Sequence, residues 1–152
     1  MHRLVASSFG LGLIPRLLWR SDEGAGTFGA LLGAGIGLLL LALDAPWWTG
    51  LPVAGAAIGL SLWSARPFAA GGEDPGWVCM DETAGTLLAV IGLGGVPWVV
   101  AVLVARVFDI VKVAPGVRAA ERLPGAIGVT ADDLVAGLYG LAAGWALTAL
   151  GL

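Results

Sequence analysis

Long uncharged stretches and short polar clusters alternate along this chain. Gly26 to Leu43 carries no charge, and at about 1.5 Å per residue it nearly matches a hydrocarbon core of about 30 Å. Asp44, Ala45, Pro46, Trp47 and Trp48 close that stretch; paired indoles beside a proline turn suit a membrane interface, because the indole is amphipathic. Leu51 to Ala65 returns as a second apolar helix, ending at Trp63, Arg66 and Pro67. Thr83 to Ala105 is uncharged again. It reads either as one span or as a hairpin of two short helices turning at Gly92-Leu93-Gly94-Gly95-Val96-Pro97, and three glycines followed by proline favour the turn. Leu134 to Leu152 forms the last apolar helix. Asp132 and Asp133 stand at its predicted start, where carboxylates suit the positive end of the helix dipole. The chain opens on a basic, glycine-broken apolar patch, Leu4 to Ile14, which ends at Pro15 and Arg16 without a small-residue cleavage pattern. That patch is expected to be a short interfacial or re-entrant segment.

Composition narrows the class. With 58% hydrophobic and 12% charged residues, 25 glycines and a mean hydropathy of +0.90, the chain departs far from the roughly 25% charged average of soluble domains. The expected fold is all-α: an integral membrane bundle of about five apolar helices plus the N-terminal segment, forming one domain over residues 1–152. A net charge of −3 leaves no basic patch for nucleic acid. Cys79, alone, forms no internal disulfide and reads as a small core residue. One histidine, His2, excludes multi-histidine metal sites and histidine nucleophiles. If the chain starts inside and every segment crosses, the hairpin reading puts all eight Lys and Arg on the inner side, as the positive-inside rule expects. A single span would move Lys112, Arg118 and Arg122 outside.

The charges concentrate where they can do chemistry. In the hairpin reading Asp81-Glu82, Asp109 and Asp132-Asp133 open or close three helices at one face and one depth. Hard oxygen ligands of this kind suit magnesium, which binds through carboxylates and substrate phosphate. Arg106, Lys112, Arg118 and Arg122 lie near them in sequence, so metal-binding acids beside cations for an anion suggest a phosphate-handling site. The competing readings are a small cation-binding transporter or a scaffold subunit using the same carboxylates. Glu73, Arg118, Glu121 and Arg122 read as solvated rim charges; the bland alternative for the whole set is a solvated inner rim in which Asp109 and Lys112 pair at i, i+3. Gly85 and Gly137 each follow an acidic pair by one helical turn, which leaves a small face where a neighbouring helix can approach closely. Gly125 and Gly128 read as a flexible loop before the last helix.

Several strings occur in an order that resembles one bacterial family: FGLGLIP and GTFG near the start, Asp74-Pro75, MDETAG at Met80 to Gly85, RVFDIVK at Arg106 to Lys112, and GAIGVTADDLVAG at Gly125 to Gly137. The family is phosphatidylglycerophosphatase A, small inner-membrane enzymes of phospholipid synthesis. Val113, Ala126 and Thr130 depart from its usual pattern, as does an insertion near Leu17 to Glu23. The resemblance implies magnesium-dependent hydrolysis of the terminal phosphate monoester of phosphatidylglycerophosphate, giving phosphatidylglycerol and phosphate. It implies that Asp81, Glu82, Asp109, Asp132 and Asp133 hold Mg2+, with one of the carboxylates orienting the attacking water. Arg106 and Lys112 would neutralise the phosphate, and Thr27 with Gly26 would meet the headgroup. It also implies a multi-pass protein of the bacterial inner membrane with a cytoplasmic active site, whose partners are lipids, and leaves a homo-oligomer open.

Overall fold

A computed structural model describes residues 1–69 and 75–152 of the chain; Glu73 and Asp74 lie outside these. Among the described residues the fold is all-α, with eight helices: α1 (His2–Ala6), α2 (Ile14–Trp19), α3 (Ala25–Ala42), α4 (Gly50–Ala69), α5 (Met80–Ala89), α6 (Gly95–Val111), α7 (Val117–Glu121) and α8 (Ala126–Ala149). The helices α3 and α8 are long and apolar enough to cross a membrane, fewer than the five expected from the uncharged runs. The others fall short for visible reasons: α5 has ten residues and α6 seventeen, while α4 carries Ser61, Ser64, Arg66 and Pro67.

The hairpin is real. The helix α5 stops at Ala89, Gly92 and Gly95 take φ of +70° and +58°, and α6 begins at Gly95. Those left-handed turn positions are cheap for glycine and costly for side chains. The helix α5 is the axis of the fold, packed against α3, α4, α6 and α8. Its neighbours approach through small residues: Ala25, Gly29, Gly33 and Gly37 form the buried stripe of α3, and Gly137, Gly140 and Gly144 that of α8. Large apolar side chains form the core around α5, Leu87, Ile91 and Leu93 among them, but many others face outward, including Leu31, Leu39, Leu103, Val107, Ile110 and Leu138. Small residues at the helix contacts and large ones on the outside suit association with a membrane, where backbones gain from close approach and apolar side chains have no reason to hide.

The molecule has two unlike poles. The α3–α4 connection, the α5–α6 turn and the end of α8 meet at one: the Trp145 indole donates to the Ile91 carbonyl at 3.2 Å, and Trp47 and Trp48 stand exposed. Asp44 is the one charged residue of those connections. At the other pole α3 and α8 begin, α4 and α6 end, and the ionisable side chains collect. The N-terminal segment closes part of that pole. Its Val5 to Ser8 are buried, the Ala6 carbonyl accepts the Cys79 amide at 2.8 Å, and Ser8 lies 2.7 Å from the Thr83 hydroxyl. Leu4 and Phe9, and Leu17, Leu18 and Trp19 of α2, remain exposed.

The last helix begins at Ala126, eight residues before the expected start. Gly125 takes φ +61° at its N-cap, and Gly128 packs where a β-carbon would strike the Leu123 carbonyl. Thr130 sits 2.8 Å from the Ser61 hydroxyl of α4. These tertiary contacts outweigh the poor helix propensity of glycine and threonine. Asp132 and Asp133 therefore lie two turns inside α8 and gain nothing from its N-terminal dipole.

Candidate active site

One crossing builds the centre of the charged pole. Gly85 of α5 and Gly137 of α8 lie against each other: a β-carbon on Gly137 would strike the Gly85 carbonyl, and one on Gly85 would stand 2.6 Å from the Asp133 carbonyl oxygen. Backbones in contact bring the acidic pairs one turn away together. One ligand oxygen each from Asp81, Glu82 and Asp133 lie within 4.8 Å of one another, and Asp81 and Asp133 are only 3% and 7% exposed. The Glu82 amide donates to the Asp81 carboxylate at 3.1 Å, fixing one of its oxygens. Oε2 of Glu82 is buried with no hydrogen-bond partner.

The cation facing this triad is Arg106 of α6. It is ion-paired to Asp109, three residues on, and its guanidinium lies beside Gly26 and Glu82, 3.2 Å from where a Gly26 β-carbon would be. The Asp109–Lys112 pair of the bland rim reading does not form: Asp109 faces inward to Arg106, while Lys112, in the left-handed conformation at φ +51°, turns back over the pole. Its Nζ donates to Glu121 at 2.5 Å and to Asp132 at 2.9 Å. Burial works against the Lys112 charge, yet these two acids hold its pKa above the ordinary lysine value. Glu121, read as a rim charge, is thus part of a fixed Glu121–Lys112–Asp132 chain.

Of the predicted residues, then, Asp81, Glu82 and Asp133 converge, with Gly26, Arg106 and Asp109 against them. Asp132 departs toward Lys112 and leaves its own Oδ1 buried without a partner. Thr27 is exposed at the start of α3, apart from the triad. Pattern reading overlooked Gly29, whose absent side chain admits the Cys79 carbonyl and so seats the start of α5. Cys79 itself is fully buried, and burial pushes its thiol up to about 11. A thiol so rarely ionised is a core residue, not a nucleophile.

Four carboxylates, Asp81, Glu82, Asp133 and Asp109, meet a single guanidinium among the described residues. Buried charge left unbalanced costs several kcal/mol per ion, and a bound cation is one way to balance it; the cluster could hold one. The donor set fits one: all-oxygen ligands are those of a hard divalent ion, and the orphaned Glu82 oxygen has coordination to offer. Such a centre can neutralise and hold a phosphate.

The sequence pattern of the phosphatidylglycerophosphatase A family matches residues 4–148 of the chain. A Bacteroides thetaiotaomicron protein provisionally named a phosphatidylinositol-3-phosphatase is 36% identical over 145 residues, covering 90% of this chain and 86% of that protein. No solved structure matches.

Proposed function

The chain belongs to the phosphatidylglycerophosphatase A family and is a phosphatase, and from that premise we propose that it removes the terminal phosphate monoester of phosphatidylglycerophosphate in a Mg2+-dependent reaction, releasing phosphatidylglycerol and phosphate. The observation that carries this reading is the buried triad of Asp81, Glu82 and Asp133, whose oxygens lie within 4.8 Å opposite Arg106. Membership of an enzyme family leaves the transporter and scaffold readings without support.

Asp81, Glu82 and Asp133 would hold Mg2+, which when bound polarises phosphoryl oxygens and activates water. Asp109 orients Arg106, whose planar fork can take two phosphate oxygens at once. Lys112 stays charged and is aimed by Asp132 and Glu121, so Asp132 serves as its holder in this reading. Gly26 lets Glu82 and Arg106 lie against the first turn of α3, with Thr27 exposed at the mouth to meet the headgroup. The acyl chains would remain in the bilayer along the apolar exterior. In the same reading α3, α4, the α5–α6 hairpin and α8 cross the bacterial inner membrane, with the charged pole cytoplasmic.

The relative's name supports a second reading, a phosphoinositide substrate, which is also a phosphate monoester on a lipid headgroup. One experiment serves both. Phosphate release from phosphatidylglycerophosphate and from phosphatidylinositol 3-phosphate is measured for the purified protein in detergent, with Mg2+ or EDTA, beside Asp81→Asn, Asp109→Asn and Asp133→Asn. The first lipid should be hydrolysed faster, only with Mg2+, and each variant should lose at least about 100-fold. A faster rate on the phosphoinositide would give the second reading the site, and folded variants with full activity would remove these carboxylates from it.

A further inference from the structure

Two arginines that pattern reading left on the solvated rim stand on one face of a held helix. Arg118 and Arg122 are four residues apart across α7 and its C-cap, which keeps right-handed helical geometry. The helix is pinned beneath them: Val117 and Ala120 are buried, Val117 packs with Ala114 and Ala136, and the Tyr139 hydroxyl donates to the Pro115 carbonyl at 3.0 Å. Like charges at i, i+4 repel, and among the described residues no carboxylate lies within ion-pair distance of either arginine. With Lys112 they line a concavity of about 450 Å³ whose remaining wall, residues 113–116 and Ala119, carries no acid. A second cavity of similar size shares Lys112 and Arg122 and reaches Asp132, the neighbour of Asp133 in the triad. Lys112 and Arg122 therefore join the two cavities, one reaching the Glu121–Lys112–Asp132 chain and the other a pair of arginines with no counter-ion among the described residues.

Resting on the proposed function, we infer that this concavity binds the phosphodiester of the substrate lipid, so that Arg118 and Arg122 determine specificity for a headgroup with two phosphates. The monoester would occupy the triad and Arg106, while the diester that joins headgroup to diacylglycerol is met by α7. A charge of −1 on the diester, spread over two free oxygens, matches a pair of guanidinium forks in search of an acceptor.

The test uses full-length protein in mixed micelles and three probes: phosphatidylglycerophosphate as substrate, phosphatidylglycerol as the diester without the monoester, and inorganic phosphate as the reverse. Relative to wild type, the Arg118→Gln/Arg122→Gln pair should raise KM about tenfold and weaken phosphatidylglycerol inhibition equally. Its kcat and its inhibition by inorganic phosphate should stay unchanged. The Arg118→Lys/Arg122→Lys pair, which keeps the charge but not the forks, should restore only part of the loss, a graded rescue that a folding defect would not allow. Unchanged KM and phosphatidylglycerol inhibition would overturn the inference. Weaker inhibition by inorganic phosphate would also overturn it, by moving the arginines to the monoester. If wild type releases no phosphate from this lipid, the functional reading fails separately, and phosphatidylglycerol adducts counted by native mass spectrometry still decide: loss in the Gln pair supports the site, and equal counts refute it. Adducts lost with KM unchanged would assign the concavity to a bystander lipid and likewise refute the substrate role.

Discussion

Gly85→Ala tests how the acidic triad is held. The added β-carbon would stand 2.6 Å from the Asp133 carbonyl oxygen, 3.0 Å from its carbonyl carbon and 3.1 Å from its β-carbon, where ordinary contact begins at 3.4 Å. Two of these atoms are backbone and cannot swing aside, so α5 and α8 must part from 2.6 Å to 3.4 Å, a shift of 0.8 Å. Overpacking of this kind costs about 1–3 kcal/mol, a drop of a few degrees in Tm for a chain this long. The functional cost should be larger. Asp81 and Glu82 ride on one helix and Asp133 on the other, and metal sites tolerate ligand displacements of only about 0.2 Å.

Mg2+ half-saturation, read from phosphate release across a magnesium titration, should rise at least about tenfold, and kcat should fall about 100-fold. Gly35→Ala and Gly55→Ala are the controls, because a β-carbon at either meets nothing within 4 Å. Both should keep activity and lose no stability, since alanine is the better helix former. A folded Gly85→Ala protein with wild-type magnesium dependence would refute the idea that the glycine crossing sets the geometry of the site.

Three further outcomes follow from the same arrangement. Glu82→Gln removes one of three crowded charges, so it should raise Tm in EDTA while abolishing the Tm gain that Mg2+ gives wild type; a loss of Tm in EDTA would mean that the carboxylates are not in excess. The raised pKa of Lys112 means that its stabilising charge is complete below the unfolded value, about 10.4, and is lost only as pH rises through the higher folded value. Activity should show no alkaline decline attributable to Lys112 between pH 7 and 10, whereas Lys112→Met should be low at every pH in that range. With its thiol pushed up to about 11 and its side chain buried, Cys79 should resist maleimide at pH 8 in the folded protein and react on denaturation; rapid labelling of the folded form would contradict the packing of the start of α5.

The elements most legible in the sequence were those defined by what they lack. Gly26 to Leu43 has no charge and became α3 to within a residue at each end, and the glycines before Pro97 marked the hairpin. Charges were harder to place, because spacing says which residues share a helix face but not which neighbour the face meets. The i, i+3 spacing of Asp109 and Lys112 admitted a pair, yet a left-handed backbone at Lys112 sends the side chain to Glu121 and Asp132 on other helices. The start of α8 was hidden for a related reason. Gly125, Gly128 and Thr130 have poor helix propensity, and only contacts with Leu123 and Ser61, remote in sequence or invisible as a pattern, make them helical. For the N-terminal segment the glycine-broken apolar period left interfacial and re-entrant placements open, and those breaks let it fold under Cys79.

The same glycines explain how a charged centre survives inside so apolar a chain. Helices packed through leucines sit about 8–10 Å apart at their axes, and short carboxylate side chains cannot bridge that gap to share an ion. Gly85 against Gly137 removes the intervening side chains, so two helices present acids to a single point within 4.8 Å. Gly26 does the same for Glu82 and Arg106 on the third side. Close approach also excludes water, which makes the unbalanced charge costly and the demand for a cation strong. Stability and function are therefore opposed at this crossing: the small residues that give the bundle its tight packing also force together like charges that the metal-free protein tolerates poorly. A variant that relaxes the crossing should bind the ion less tightly and, once the ion is stripped, suffer less from its absence.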